Sequence, residues 1–141
     1  MSTAERLAQM PGLYVGLGEG VESGPFLGRV QVGRLPNGGA TIDYEATSRE
    51  HGLQHREHSL LAIGPGGRDR LFVAYSESPY VVELVETHPE SGRFEQPALA
   101  GPFKLAVVVA IGEPGVLTYA WWWGAQGETP IERSRVEVRA L

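Results

Sequence analysis

The chain has 141 residues, no cysteine and a formal net charge of -5, from 17 acidic and 12 basic residues. This length suits a single domain over residues 1–141, and the lack of cysteine excludes disulfides, thiolate catalysis and cysteine-based metal sites. The acidic balance gives no electrostatic footprint for a phosphate backbone, so we expect no nucleic-acid partner.

The first residues, MSTAERL, lack the basic start and apolar core of a secretory signal. No apolar run approaches the ~20 residues needed to span a bilayer. We therefore expect no membrane association and a cytoplasmic location.

The chain begins with a short predicted helix over residues 3–10. Ser2 is a suitable N-cap, Leu7 and Met10 lie three apart on one side, and the following Pro11 and Gly12 end the helix. No helical period follows.

Apolar segments separated by turn residues fill the rest of the chain and predict ten strands. The separators contain much of the chain's 19 glycines and 10 prolines. Among them, Asn37-Gly38 favours the positive-φ positions of a type I′ hairpin. The predicted strands cover residues 13–19, 25–35, 40–49, 53–63, 70–77, 80–87, 93–96, 103–111, 116–123 and 131–140.

This punctuation is typical of consecutive antiparallel strands, and it predicts an all-β fold, an up-and-down barrel of about ten strands. Closure into a barrel removes exposed sheet edges; a two-sheet sandwich is the main alternative. The alternating glycines of GLGEG at 16–20 would permit a close bend where the barrel closes, or admit a bulky neighbour.

All three tryptophans are consecutive, in the segment YAWWWG at 119–124. Successive side chains of a strand point to opposite faces. The row of Trp121 and Trp123 also carries Leu117 and Tyr119, so we predict that it faces inward and that Trp122 faces outward.

In the last strand, alternation places Ser134, Val136 and Val138 on one row and four charged side chains on the other. We expect the charged row to face water. It consists of Arg133, Arg135, Glu137 and Arg139.

The segment Phe103–Ile111 is apolar on both faces after Lys104, as in a strand that is covered on both sides. With the outward Trp122 it would form one apolar patch, which suggests an interface. We predict a homodimer through this patch; the alternative is that the N-terminal helix covers it.

Three of the four histidines lie between His51 and His58. On a strand, His55 and Glu57 share a face while His58 points away, so the two histidines are not expected to bind one metal. His55 and Glu57 could form a proton-transfer pair, or a solvated row of charges. Which face of this strand points inward stays open, because a single bulge would reverse it.

Tyr44, Tyr75 and Tyr119 lie on the more apolar rows of their strands. A phenol that points into a cavity supplies apolar area and one hydrogen bond, although the same residues also suit an ordinary core. Glu77 lies two residues after Tyr75 on the same face, so we expect it to be a second carboxylate that points inward if Tyr75 does.

Three stretches share a pattern with a known group of barrels. They are GLYVGLGEG at 12–20, VELV at 82–85, and the ending that runs from LTY at 117–119 through Gly127 and PIE at 130–132 to the last strand. In this order they resemble the nitrobindin-like haem-binding barrels of the calycin group. The resemblance implies a ten-stranded barrel with a small-molecule site.

In that family a histidine near the start of the last strand holds the haem iron. The matching position here is Ser134, which cannot serve as an axial ligand. Tyr14 also stands where the family has tryptophan. We therefore expect no cofactor, and haem binding is the last of three hypotheses.

The first hypothesis is a binding protein that holds a hydrophobic small molecule in the barrel. The second is a cofactor-independent isomerase or cyclase in which His55, Glu57 and Tyr44 carry the acid–base chemistry. The predicted ligand-binding residues are Tyr44, Tyr75, Glu77, Tyr119, Trp121, Trp123 and Ser134.

Overall fold

A computed structural model describes residues 1–97, 103–125 and 127–141. Over these residues the chain forms one short helix and ten strands, as an all-β fold. The helix is α1 (Thr3–Ala8), and the strands are β1 (Gly12–Gly20), β2 (Gly24–Arg34), β3 (Ala40–Ser48), β4 (Gly52–Ala62), β5 (Arg70–Tyr75), β6 (Val82–Glu86), β7 (Arg93–Glu95), β8 (Phe103–Ile111), β9 (Val116–Ala125) and β10 (Ile131–Ala140).

Each strand pairs antiparallel with the next in sequence, and β10 pairs with β1, so that the sheet is a closed barrel. The predicted up-and-down barrel is confirmed, and the sandwich is not formed. At the closing seam, a Cβ on Gly16 would lie 1.9 Å from the carbonyl oxygen of Glu137. Glycine therefore allows the two backbones to approach closely.

The connection between β2 and β3 differs from a two-residue hairpin. Arg34 pairs with Ala40, which leaves five residues between the strands. Asn37 and Gly38 have φ of 71° and 96°, so the positive-φ positions are where the sequence predicts them. The preceding Pro36 has no N–H for the tight hydrogen-bonded pair, and the turn widens accordingly.

The helix α1 closes one end of the barrel. The Ser2 side chain accepts from the backbone N–H of Glu5, and the Glu5 carboxylate accepts from that of Ser2, which forms a capping box. The Thr3 hydroxyl donates to the buried Glu86 at 2.5 Å, and the Ala4 N–H donates to the buried Asp69 at 2.7 Å. The helix is thus anchored across the barrel end and does not lie over the outer face of β8.

The half of the barrel next to α1 is filled with side chains, whereas the other half is hollow. Leu7 of the helix belongs to the same buried cluster as the inward rows of the strands. Fully buried members of this cluster include Val30, Ile42, Leu61, Leu71, Val73, Leu84, Phe94 and Leu117.

The outer face of β8 and β9 is covered in part by its own side chains. Trp122 is half-buried opposite Ala106, and the Arg93 guanidinium lies 4.8 Å from the centroid of its ring. Ala106 and Ala120 are buried on this face. The apolar patch is therefore smaller than the sequence predicts, and the homodimer stays a prediction.

Among the described residues, no helix has the length and apolar character to cross a membrane. The cytoplasmic location stays a prediction.

Candidate ligand site

A cavity of about 640 Å³ occupies the half of the barrel away from α1. This volume lies within the range of small-molecule sites, about 300 to 1,000 Å³. Seven of the residues that the sequence predicts for the site line this cavity: Tyr44, His55, Tyr75, Glu77, Trp121, Trp123 and Ser134. The other lining residues are Glu22, Ser23, Phe26, Ala46, His51, Leu53, Gln54, Phe103, Leu105 and Arg133.

The three tryptophans divide between the two faces of β9 as predicted. Trp121 is buried and Trp123 half-buried, and both line the cavity, whereas Trp122 lies on the outer face. Strand alternation alone accounts for this division.

A bulge in β10 brings one charged side chain into the cavity wall. Glu132 pairs with Trp122 and Ser134 pairs with Trp121, so Arg133 is the extra residue. Its Nε donates to the carbonyl oxygen of Trp123 at 3.1 Å, and its guanidinium lies 5.3 Å from the Trp123 ring centroid. The prediction that Arg133 faces water is wrong, because it assumed unbroken alternation.

A second bulge decides the face of β4 that the sequence leaves open. Ala46 pairs with His55 and Thr47 pairs with Leu53, so Gln54 is the extra residue. His55 and Glu57 therefore face the interior together, and Leu53 is exposed.

Glu57 is the centre of a buried polar network under the cavity. Its side chain is fully buried, and its two oxygens accept hydrogen bonds from four side chains. The donors are Tyr119 Oη (2.6 Å), Trp121 Nε1 (2.7 Å), His55 Nε2 (3.0 Å) and Ser59 Oγ (3.1 Å). Because indole N–H can only donate, this arrangement suits an ionised carboxylate that accepts from every side. The buried carboxylate of Glu57 is thus fully hydrogen-bonded.

The other nitrogen of His55 bonds to a different carboxylate. Nδ1 lies 2.9 Å from both oxygens of Glu77, which follows β5 in a turn. The sequence predicts a strand to residue 77, but β5 ends at Tyr75. Glu77 nevertheless reaches the cavity, because its side chain folds back from the turn toward His55.

These contacts determine the charge of His55. Burial by itself lowers the pKa of this imidazole, but the hydrogen bonds and charges of Glu57 and Glu77 outweigh it and raise the pKa to about 9. His55 is therefore an imidazolium at neutral pH. Burial opposes the ionisation of Glu77 as well, yet the bond from His55 lowers its pKa overall.

The two innermost tyrosines remain neutral. Burial, reinforced by the charge of Glu57, raises the pKa of Tyr119 and of Tyr44 above its ordinary value. Their rings pack at a centroid distance of 4.8 Å. Tyr119 lies under the cavity as a donor to Glu57 and is not a lining residue, whereas Tyr44 lies in the wall.

His58 lies on the face opposite His55, as predicted, and bonds to Asp43 on the outside of the barrel. Among the described residues, no group of three or more histidine, aspartate or glutamate side chains could hold a metal ion. The nitrogen atoms of His55 are likewise taken up by the two glutamates.

The structure is similar to the crystal structure of Rv2717c from M. tuberculosis, with a TM-score of 0.62 and 13% sequence identity. The match covers 100% of this chain and 99% of that chain. At this identity the likeness shows the fold alone. No protein-family model matches the chain, and no curated protein matches its sequence. Membership of the nitrobindin-like family stays a prediction.

Sequence reasoning missed two features of the site. One is Arg133, whose bulge has no signal in the alternating pattern of β10. The other is the pairing of His55 with Glu77, which lie 22 residues apart. The many charged partners between residues 43 and 58 gave no reason to prefer Glu77.

Proposed function

We propose that the protein binds an apolar or aromatic small molecule in the open half of its barrel. One observation carries the proposal, the cavity of about 640 Å³ with aromatic walls over a fully hydrogen-bonded polar floor. The barrel fold is compatible with such binding. A core that served stability alone would be expected to fill this volume, because protein interiors are close-packed.

The direct test is titration with N-phenyl-1-naphthylamine, a neutral aromatic dye that fluoresces in apolar surroundings. We expect saturable binding of one dye per chain. Ala46 lines the cavity, so Ala46→Trp should fill the site and weaken binding at least about tenfold. The matched control is Ala110→Trp on the exposed face of β8, which should bind as the native protein does. Equal affinities in all three proteins would contradict the proposal.

A second candidate function is proton transfer, as in a cofactor-independent isomerase or cyclase. The observation that favours it is the chain from Glu57 through His55 to Glu77 at the cavity floor. With a pKa of about 9, His55 would act as the acid and donate a proton to a carbonyl oxygen of the substrate, and the Glu77 carboxylate would accept the proton that leaves the carbon next to that carbonyl. Glu57, which is buried, would position His55, and neutral Tyr44 would supply a further donor from the wall.

The proton-transfer candidate predicts that the protein speeds deuterium uptake from D₂O at the acidic carbons of 2-tetralone, measured by NMR. His55→Gln should slow this exchange by about 10²-fold or more, while dye binding persists. An exchange rate no greater than that in imidazole buffer of equal concentration would rule the candidate out.

Haem does not fit these residues in the way the resembled family holds it. Ser134 lines the cavity but is no iron ligand, and both ring nitrogens of His55 carry hydrogen bonds to glutamates. His51 lies at the mouth and is more than half exposed. The proposed binding function requires no cofactor, and titration with haemin is expected to give only the broad Soret absorption of free haemin, without the sharpened and shifted band of a ligated haem.

The homodimer remains a proposal based on the apolar outer row of β8 and on Trp122. Native mass spectrometry of freshly purified protein tests it directly, because it reports the number of chains and the mass of any ligand they carry. Trp122→Glu should convert a dimer to monomers. A monomer in the native protein would contradict the proposal.

A further inference from the structure

The two hydrogen-bond partners of His55 differ in how firmly they are held. Glu57 is fully buried and accepts three further hydrogen bonds, so it cannot leave His55 without leaving buried donors unpaired. Glu77 lies in a turn with its side chain 52% exposed, and its other partner is the hydroxyl of the adjacent Ser76. Of the two carboxylates, only that of Glu77 can therefore be replaced by another hydrogen-bond acceptor without a large loss of free energy.

The carboxylate of Glu77 occupies a position in the cavity wall that faces the ligand space. It binds Nδ1 of His55 on the side away from Glu57. The site thus already accommodates a second carboxylate against the imidazolium. A carboxylate from another molecule could take this position and leave every buried donor paired, whereas a group that accepts no hydrogen bond would leave Nδ1–H unpaired.

The remainder of the cavity suits an acid with an apolar body. Phe26, Leu105 and Trp123 supply apolar walls, and Arg133 adds a positive charge. None of the ion pairs among the described residues includes Arg133. The carboxylate of Glu22 also lines the mouth, but this side chain is exposed at the rim. An anion inside the cavity would therefore be attracted by Arg133 at short range.

We propose that the ligand is an apolar organic acid whose carboxylate displaces Glu77 from Nδ1 of His55. This inference rests on the proposed function and specifies the chemistry of its ligand. Glu77 then serves as an internal competitor that holds His55 in place until the acid binds and that swings toward solvent afterwards. The buried pair of His55 and Glu57 is unchanged by the exchange.

The test compares 1-naphthaleneacetic acid with its neutral counterpart 1-naphthaleneacetamide by isothermal titration calorimetry at pH 6. The two compounds have nearly the same shape, and only the acid carries the charge. We expect the native protein to bind the acid about tenfold or more tightly than the amide, the scale of one charge-assisted hydrogen bond. His55→Gln should remove this preference, so that the acid and the amide bind with similar affinities.

Glu77→Gln gives the sharper result, because it removes the competing carboxylate without removing the imidazolium. The acid should then bind several-fold more tightly, and the ratio of acid to amide affinity should rise. Glu19→Gln on the exposed outer face of β1 changes the net charge equally and is the matched control, with no expected effect on either compound.

Equal affinities of the native protein for the acid and the amide, or weaker binding of the acid to Glu77→Gln, would overturn this inference. The proposal that the cavity binds a small molecule would still stand. If neither compound nor the neutral dye binds to the native protein, the proposed function itself fails. The two failures are therefore distinguishable in one set of titrations.

Discussion

The Tyr119 hydroxyl donates to Oε2 of Glu57 at 2.6 Å, across 62 residues of sequence. Both side chains are buried, and the bond joins β9 to β4 across the barrel. It ties the floor of the cavity to the orientation of His55, because the same carboxylate accepts from His55 through its other oxygen.

Removal of this hydroxyl should destabilise the fold. We expect Tyr119→Phe to lower the free energy of unfolding by about 2 kcal/mol, the cost of a lost hydrogen bond to a buried charge. Urea denaturation followed by tryptophan fluorescence measures it. Tyr80→Phe is the control, since Tyr80 is 76% exposed and should change the stability very little. Equal losses of unfolding free energy in the two variants would show that the hydrogen bond from Tyr119 to Glu57 does not stabilise the fold.

The raised pKa of His55 predicts how stability depends on pH. The folded pKa of about 9 lies above the ordinary value of 6.5, so the folded state binds the proton more tightly. Protonated His55 therefore contributes on the order of 3 kcal/mol to the free energy of unfolding. This contribution is complete below pH 6.5 and is lost as the pH rises through 9. Urea titrations at pH 6 and pH 9.5 should show this loss.

The fall in stability at high pH should depend on His55 and not on His58. His55→Gln should flatten the fall in stability between pH 6 and pH 9.5. The exposed His58 points out of the barrel, and His58→Gln should retain the fall. A steep decline in the His55→Gln protein would assign the pH dependence to other groups.

The closing seam of the barrel makes a prediction about glycine. An alanine Cβ at position 16 would lie 1.9 Å from the backbone oxygen of Glu137, so β1 and β10 would have to separate. We expect Gly16→Ala to lower the free energy of unfolding by at least about 2 kcal/mol. A Cβ at Gly112 would meet no atom within 4 Å, and Gly112→Ala should change stability by less than about 0.5 kcal/mol. Similar melting temperatures for the two variants would argue against a tight seam.

The two faces of β9 should respond differently to loss of an indole ring. Trp123 lines the cavity, and we expect Trp123→Ala to weaken binding of the neutral dye about fivefold to tenfold through lost aromatic contact. Trp122 packs under Arg93 on the outer face, so Trp122→Ala should leave the dye affinity unchanged. Fluorescence titration of each variant with the dye measures the two affinities. A loss of affinity in Trp122→Ala alone would reverse the assignment of faces.

The amino-acid sequence was enough to predict the strand pattern, an all-β fold with a barrel as the preferred topology, and the faces of the tryptophans. These follow from a period of two residues and from turn residues, which are local properties of the chain. For the same reason Tyr44, Tyr75 and Trp121 could be assigned to the interior before any contact was known. The N-cap at Ser2 was local as well, because the whole capping box lies within four residues.

The contacts that these inward side chains make depend on how the strands assemble in space. The two bulges, at Gln54 and Arg133, shift the register by one residue, and such a shift depends on the partner strand. They turn His55 inward and bring Arg133 into the cavity. The convergence of Glu57 with Tyr119 and Trp121 depends on barrel closure, which sets distances between residues more than 60 positions apart. No local pattern contains that information, because the hydrogen bonds form only when strands distant in sequence face one another across the interior.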